Sequence, residues 1–95
     1  TPTQITFTED ALQNRTVLEI IAGDRPGLLS EIGRVFLAEQ IDVNTAKIMT
    51  IGERAEAVFY ITGAQGGPLT EAACDRLRER IGQALDRRDQ AMRLA

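Results

Sequence analysis

Residues 16–22, with the sequence TVLEIIA, constrain the fold more than any other stretch, because apolar side chains fill both alternating positions of a short β-branched segment. Leu18 and Ile20 have one parity, and Val17 and Ile21 have the other. A strand that is apolar on both faces belongs in the centre of a sheet, with material packed on each side. The rest of the chain is therefore expected to supply neighbouring strands and a covering layer.

Residues 3–7 are predicted to form an edge strand beside this segment. Their sequence, TQITF, alternates polar and apolar side chains with the period of two that is typical of a half-buried strand. The polar stretch 8–15 then turns the chain back into the central strand. The two segments predict a hairpin.

A second hairpin is predicted over residues 41–51 and 54–62, which are joined by a tight two-residue turn. The apolar phase of its first strand shifts between Val43 and Ala46, so the ladder is expected to begin near Asn44 or to contain a bulge. One face of the second strand carries Ala55, Ala57, Phe59 and Ile61.

Two segments have the spacing of amphipathic helices. Residues 26–40 place apolar side chains on one side, with Glu31 and Arg34 opposite. The apolar positions are Leu28, Leu29, Ile32, Val35 and Phe36. After the loop 63–68, Thr70 is expected to cap a second helix. Its inward positions are Ala73, Leu77, Ile81, Ala84 and Leu85.

The predicted order is strand, strand, helix, strand, strand, helix, which lets both helices cover one face of a four-stranded antiparallel sheet. This is an α+β sandwich of the ferredoxin-like kind, in which the N-terminal strand 3–7 replaces the usual C-terminal strand. The 95 residues are expected to form one domain, whose polar stretch 86–95 is a tail or a helix extension. Because the chain starts at Thr1 and not at methionine, we expect a piece of a larger enzyme.

The composition excludes several kinds of site. Histidine is absent, so no histidine zinc site and no Ser-His or Cys-His nucleophile pair can form. The single cysteine, Cys74, falls in the apolar phase of the second helix, where a buried small side chain is expected rather than a nucleophile. With one cysteine and no visible signal peptide, the chain is expected in the cytoplasm.

Charge and hydropathy argue against nucleic acid and membrane partners. The net charge is −3, and the 11 basic residues are interleaved with 14 acidic ones. No basic stripe is therefore available to neutralise phosphates. The apolar runs are far too short to cross a bilayer.

The heptapeptide GDRPGLL, residues 23–29, joins the central strand to the first helix and carries the main indication of a ligand site. Because the residue before a proline disfavours helical backbone, Pro26 is predicted to be the first helical residue. The N–H groups of Gly27, Leu28 and Leu29 are then expected to be unpaired at the positive end of the helix dipole. An anion is stabilised at such a position.

Asp24 narrows the class of ligand. Its carboxylate can accept hydrogen bonds from an ammonium group close to these amides, so a free α-amino acid matches both charges. In the alternative interpretation Asp24 caps the helix, Arg25 is solvated and the Pro-Gly pair only sharpens the turn. The residue types alone leave both interpretations open.

The stretch TVLEIIAGDRPGLLSEIGRVFLAEQIDVNTAKIMT, residues 16–50, resembles the ACT domain family, small ligand-sensing modules of many enzymes of amino-acid metabolism. PTQITF, RTVLEIIAGDRPGLLSEIGRVF and AKIMTIGERAEAVFYITG resemble more closely the C-terminal ACT domains of one group of enzymes. These attach uridylyl groups to the PII nitrogen-signalling protein and remove them. Ala57 departs from that group, which often has an acid after Glu56.

The resemblance implies a ligand held between the strand-helix turn of one copy and the second strand of its neighbour in a homodimer or a pair of ACT copies. The residues that it points to are Asp24, Arg25, Pro26, Gly27, Leu28 and Leu29 in the turn and Asn44 in the strand. A polar strand start is an equally simple interpretation of Asn44. The resemblance also implies glutamine as the ligand, the PII protein as a partner of the parent enzyme, and Mg²⁺ for that parent but no cofactor for this domain.

The face of the sheet turned away from the helices is also predicted to be apolar. Its residues come from adjacent strands: Val17, Ile21, Met49, Ile51, Val58 and Tyr60. A contiguous patch of this kind is typical of a docking surface, so we expect another ACT copy or the rest of the parent enzyme there. Scattered exposed residues on a half-solvated sheet are the alternative.

Three functions stay open: a regulatory amino-acid-binding module, an ACT copy that only dimerises or docks, and a small acylphosphatase-like enzyme that uses Arg25 and Asn44. The third is disfavoured, because an acyl phosphate needs a glycine-rich cradle of several amides and only Gly27 lies close to Arg25. No catalytic residue and no metal ligand is predicted in the chain.

Overall fold

The computed structural model describes the backbone of residues 2–94 and the side chains of residues 2–86. The elements are β1 (Gln4–Asp10), β2 (Arg15–Gly23), α1 (Leu28–Ala38), β3 (Asp42–Ile51), β4 (Arg54–Thr62) and α2 (Glu71–Leu94). The four strands form one antiparallel sheet in the order β1-β2-β4-β3, with both helices on one face. The predicted α+β ferredoxin-like fold, with an N-terminal strand at the edge of the sheet, is confirmed.

The first hairpin is longer than the sequence predicts. β1 continues to Asp10, which pairs with Arg15, so only residues 11–14 form the turn. The Arg15 Nε donates to the Asp10 carboxylate at 3.1 Å, and Asn14 adopts a left-handed φ of 53° that asparagine tolerates well. The sequence predicts a turn for the polar residues after position 7 because they lack an apolar face, but the hydrogen bonds between β1 and β2 need only their backbone.

The second hairpin has the predicted irregularity. The register between β3 and β4 shifts between Val43 and Thr45, which places a bulge at Asn44. From there the ladder is regular to the Ile51–Arg54 pair, and Gly52 in the turn has a φ of 61°. The predicted bulge and hairpin are confirmed.

The core lies between the sheet and the two helices. Its buried apolar residues are Leu18, Ile20, Ala22, Leu28, Ile32, Val35, Phe36, Ala55, Ala57, Phe59, Ile61, Leu77, Ile81, Ala84 and Leu85. Phe36 of α1 meets Phe59 of β4 edge to face, with ring centroids 5.0 Å apart. All predicted inward residues of α2 are buried except Ala73, which is half-buried, and Thr70 caps the helix by accepting the Ala73 N–H at 3.1 Å.

α1 ends at Ala38, two residues before the predicted end. Gln40 adopts a left-handed φ of 57°, the Ile41 N–H donates to the Phe36 carbonyl at 2.8 Å, and the Gln40 N–H donates to the Leu37 carbonyl at 3.2 Å. This is a Schellman motif with glutamine in the position where glycine is usual. It aims the chain directly into β3.

β3 is the most exposed strand in the described chain. Every residue of β3 is exposed, including Ile48, which is 44% exposed although it lies on the helix side of the sheet. The exposed strand β3 and the start of α1 leave a cleft between them. That cleft contains the residues of the candidate site.

Candidate ligand-binding site

The β2–α1 turn has a different geometry from the predicted one. The Leu28 N–H donates to the Arg25 carbonyl at 3.3 Å, and Gly27 has φ 81° and ψ 3°. These values belong to the third residue of a type II turn, with Pro26 in the favoured second position. The helix therefore begins at Leu28, and the prediction that Pro26 is its first residue is wrong.

The turn also changes which amides are available to a ligand. The prediction of an unpaired Leu28 N–H is wrong, because this group closes the type II turn. The first hydrogen bond of the helix runs from the Glu31 N–H to the Gly27 carbonyl at 3.0 Å. The N–H groups of Leu29 and Ser30 precede that bond at the positive end of the helix. An anion at this helix start would therefore meet Leu29 and Ser30.

Asp24 lies at the edge of this turn, with its side chain exposed. Its backbone N–H donates to the Glu53 carbonyl at 2.8 Å, which ties the turn to the tip of the β3–β4 hairpin. The cap residue of α1 is Gly27, and in the described structure no side chain makes a hydrogen bond to this helix start. The interpretation of Asp24 as a helix cap is therefore wrong, and its carboxylate is available to a ligand.

Arg25 connects the turn to the second helix. Its Nη2 donates to the Leu85 carbonyl of α2 at 3.3 Å, and the side chain is half-buried. The interpretation of Arg25 as a solvated side chain is therefore wrong. The contact fixes the turn against α2, 60 residues further along the chain.

A cleft of about 220 Å³ opens beside this turn, and we call it the β2–α1 cleft. Its lining residues are Ile20, Ala22, Asp24, Arg25, Gly27, Leu28, Leu29, Ser30, Ile32, Ile48, Thr50, Ala55 and Ala57. Its volume equals about seven waters at about 30 Å³ each, which suits a small metabolite. The three alanines leave the space, because larger side chains at these inward positions of the sheet would fill it. The floor is therefore apolar and the rim is polar.

The β2–α1 cleft contains five of the seven residues implied as ligand contacts, namely Asp24, Arg25, Gly27, Leu28 and Leu29. Pro26 shapes the turn and is not in the lining.

Asn44 lies on the same strand as the lining residue Thr50 but six residues away, about 20 Å at about 3.3 Å per residue. Within one chain Asn44 therefore does not meet the turn, and its role beside the cleft of a neighbouring copy stays a prediction. The Arg25–Asn44 pair of an acylphosphatase-like site is not assembled in this chain.

Ser30, Ile48 and Thr50 are lining residues that the sequence analysis missed. The predicted tight turn after Ile51 pairs Thr50 with Ala55 and Ile48 with Ala57, so all four lie on the same side of the sheet. The predicted positions of Met49 and Ile51 on the opposite face already imply this parity, but not that Ile48 and Thr50 lie beside the β2–α1 turn.

A larger groove of about 350 Å³ lies at the other end of α1, between Glu39 and the loop 63–70. The Glu39 carboxylate there accepts from Arg76 Nε at 2.7 Å and lies 3.5 Å from Arg80. Its charge is thus used to hold α1 against α2. We place the candidate site in the smaller cleft because the Asp24 carboxylate and the amides of Leu29 and Ser30 are available to a ligand.

Other chemistry finds little support in the described residues. Cys74 is half-buried, and burial raises the pKa of its thiol above its ordinary value, which disfavours the nucleophilic thiolate. The described residues contain no group of three or more side chains that could hold a metal ion. Among the described helices, none is long and apolar enough to cross a membrane.

A family model for the ACT domain matches residues 16–73, from β2 to the first turn of α2. The chain belongs to the ACT domain family. The matched region of this ACT domain includes the whole lining of the β2–α1 cleft.

This ACT domain is similar to a segment of much longer proteins. It is 52% identical over 85 residues to the bifunctional uridylyltransferase/uridylyl-removing enzyme of Pseudomonas entomophila (strain L48), which covers 88% of this chain and 9% of that enzyme. It is 49% identical over 83 residues to the enzyme of the same name from Pseudomonas aeruginosa (strain LESB58), with 86% and 9% covered. The ACT domain thus spans 9% of the length of these relatives.

Proposed function

We propose that this ACT domain is the amino-acid-sensing regulatory module of a cytoplasmic enzyme that attaches uridylyl groups to the PII protein and removes them. We further propose that glutamine is the amino acid sensed. The observation that carries the proposal is the β2–α1 cleft, in which an uncommitted carboxylate and the start of a helix flank an apolar floor. The similarity to the uridylyltransferase/uridylyl-removing enzymes supports the parent enzyme.

The cleft suits a zwitterion with a short aliphatic side chain. The ligand carboxylate would accept from the N–H groups of Leu29 and Ser30, where the helix dipole favours negative charge. The ligand ammonium would donate to the exposed carboxylate of Asp24. The methylenes of the side chain would then lie on the apolar floor, and Thr50 offers a hydroxyl at the rim.

Regulation requires that the ligand bind one arrangement of the parent enzyme more tightly than another. Two contacts connect the cleft to the rest of the domain: Arg25 to Leu85 of α2, and the Asp24 N–H to Glu53 of the hairpin tip. A ligand that fixes the turn would therefore also act on α2. Catalysis, and any Mg²⁺ that serves it, would belong to the parent enzyme.

Thermal unfolding with each amino acid in turn tests the proposal. At about 10 mM, a ligand with a Kd of about 0.1 mM is present at about 100 times its Kd and stabilises the domain by about 2.7 kcal/mol. For a domain of this size the midpoint rises by about 10 °C or more. We expect this rise with glutamine, and a smaller one or none with the other amino acids.

Two substitutions test whether the glutamine shift depends on Asp24. Because Asp24 makes no cap hydrogen bond, Asp24→Ala should leave unliganded stability within about 0.5 kcal/mol of the wild type and remove the glutamine shift. Asp75→Ala, at an exposed position on α2, should retain the shift. If no amino acid moves the midpoint, the sensing proposal is wrong and the non-binding docking copy becomes the better account.

A further inference from the structure

The sheet face turned away from the helices combines apolar side chains with two opposite charges, and we call it the open face. Val17, Ile21, Val58 and Tyr60 are half-buried, and Met49 and Ile51 are 59% and 47% exposed. The strand register places all six, which the sequence predicted as a docking surface, on this side of β2, β4 and β3.

The register also fixes where the charges of the open face lie. Val58 of β4 pairs with Glu19 of β2 on one side and with Lys47 of β3 on the other. Glu19 and Lys47 are therefore about 10 Å apart across Val58, given about 4.8 Å between neighbouring strands. Both side chains are exposed, and within residues 2–86 neither forms a salt bridge.

Four of the other charges at the open face are already paired. Arg15 bonds to Asp10 at 3.1 Å, and Arg54 lies 2.9 Å from Glu56. Arg15 and Lys47 also lie over the Tyr60 ring, at 4.5 and 5.7 Å from its centroid. Glu19 and Lys47 are thus the two charges beside Val58, and neither has an oppositely charged partner in the described chain. They lie on opposite sides of β4.

We propose that the open face binds the open face of a second copy of this chain. The two copies are related by a two-fold axis that lies midway between the two sheets, runs parallel to β4 and passes over Val58. Such an axis exchanges the left and right sides of the face, so Glu19 of each copy meets Lys47 of the other. Ile21 meets Met49 in the same way, and Val58 and Tyr60 meet their own counterparts. Two sheets that pack face to face keep their strands within about 30° of each other, which preserves these pairings near the axis.

The charges also argue against the other simple arrangement. The other simple two-fold axis also lies midway between the sheets and over Val58, but it runs at right angles to the strands. It would place Glu19 against Glu19 and Lys47 against Lys47. Like charges in contact are destabilising, so the axis along β4 is favoured. With the axis along β4, Glu56 and Arg54 also meet their own counterparts. Their charges are neutralised by the salt bridge between Arg54 and Glu56 within each chain.

Charge reversal tests this interface without any ligand, so its outcome is independent of the amino-acid-sensing proposal. In the homodimer of Glu19→Lys, or of Lys47→Glu, both intermolecular pairs change from attraction to repulsion. Each variant should therefore associate about 30-fold more weakly than the wild type in sedimentation equilibrium at low salt. Arg34→Glu, on the exposed side of α1, is the matched control and should associate like the wild type.

Mixing the two variants gives the decisive result. A heterodimer of Glu19→Lys with Lys47→Glu restores two opposite-charge pairs, so the mixture should associate at least as well as the wild type although each variant alone is weak. Circular dichroism confirms that the variants are folded. A wild type that stays monomeric at millimolar concentration, single variants that associate normally, or a mixture that does not associate would each overturn the proposal.

Discussion

Replacing Ala57 with valine should stabilise the unliganded domain and abolish amino-acid binding at the same time. Ala57 is 3% exposed, pairs with Ile20 and Ile48 on the neighbouring strands, and lines the β2–α1 cleft with both. Valine suits a strand and adds two carbon atoms to the floor of the cleft. At about 0.8 kcal/mol per buried methylene, the free energy of unfolding should rise by up to about 1.6 kcal/mol.

The same two carbon atoms occupy space that the ligand needs. Urea unfolding with and without glutamine at about 100 times its wild-type Kd separates the two effects. The wild type should gain about 2.7 kcal/mol from the ligand, and Ala57→Val should gain almost nothing. Ala46→Val, at an exposed position of β3 outside the cleft lining, should keep the full gain.

Two results would refute this reasoning. If Ala57→Val keeps the full gain from glutamine, the ligand does not bind in the cleft. If the unliganded variant loses more than about 1 kcal/mol, the site is closely packed in solution and no cleft exists there to fill.

Three further predictions concern local structure. Gly27→Ala should lower the free energy of unfolding by about 1 kcal/mol in thermal melts, because φ is 81° at this position; no loss would contradict the type II turn. Thr70→Ala should cost about 1 kcal/mol through the lost cap, and Thr70→Ser should restore it; equal stability of both variants would exclude the cap. Because burial raises the pKa of the Cys74 thiol, iodoacetamide at pH 8 should modify the folded chain more slowly than the urea-unfolded chain; equal rates would show an exposed thiol.

Local periodicity was enough to predict the order of the elements. The alternation in β2 and β4, the spacing in α1 and the phase shift near Asn44 are properties of neighbouring residues, and the structure has all of them. The prediction of where α1 starts was wrong because proline has two local preferences. Pro26 suits the first position of a helix, but it also suits the second position of a type II turn when glycine follows, and here the turn is formed.

The site depended more on contacts between distant parts of the chain. Asp24, Gly27 and Leu29 could be predicted as lining residues because they follow one another in the turn. The side of the sheet on which Thr50 lies could be predicted, but its place beside the turn could not, because that depends on how α1 packs against the sheet. The contact between Arg25 and Leu85 joins residues 60 positions apart, so no local sequence pattern predicts it.

The central claim, that an amino acid binds at the β2–α1 turn, is tested most directly by following the backbone amide resonances of the chain during a glutamine titration. The account predicts saturable shifts, with one dissociation constant, for the amides of Leu29, Ser30 and Gly27, and none for Gly66 in the loop at the opposite end of α1. Unchanged amides in the turn at saturating glutamine, or shifts confined to the loop 63–70, would contradict it.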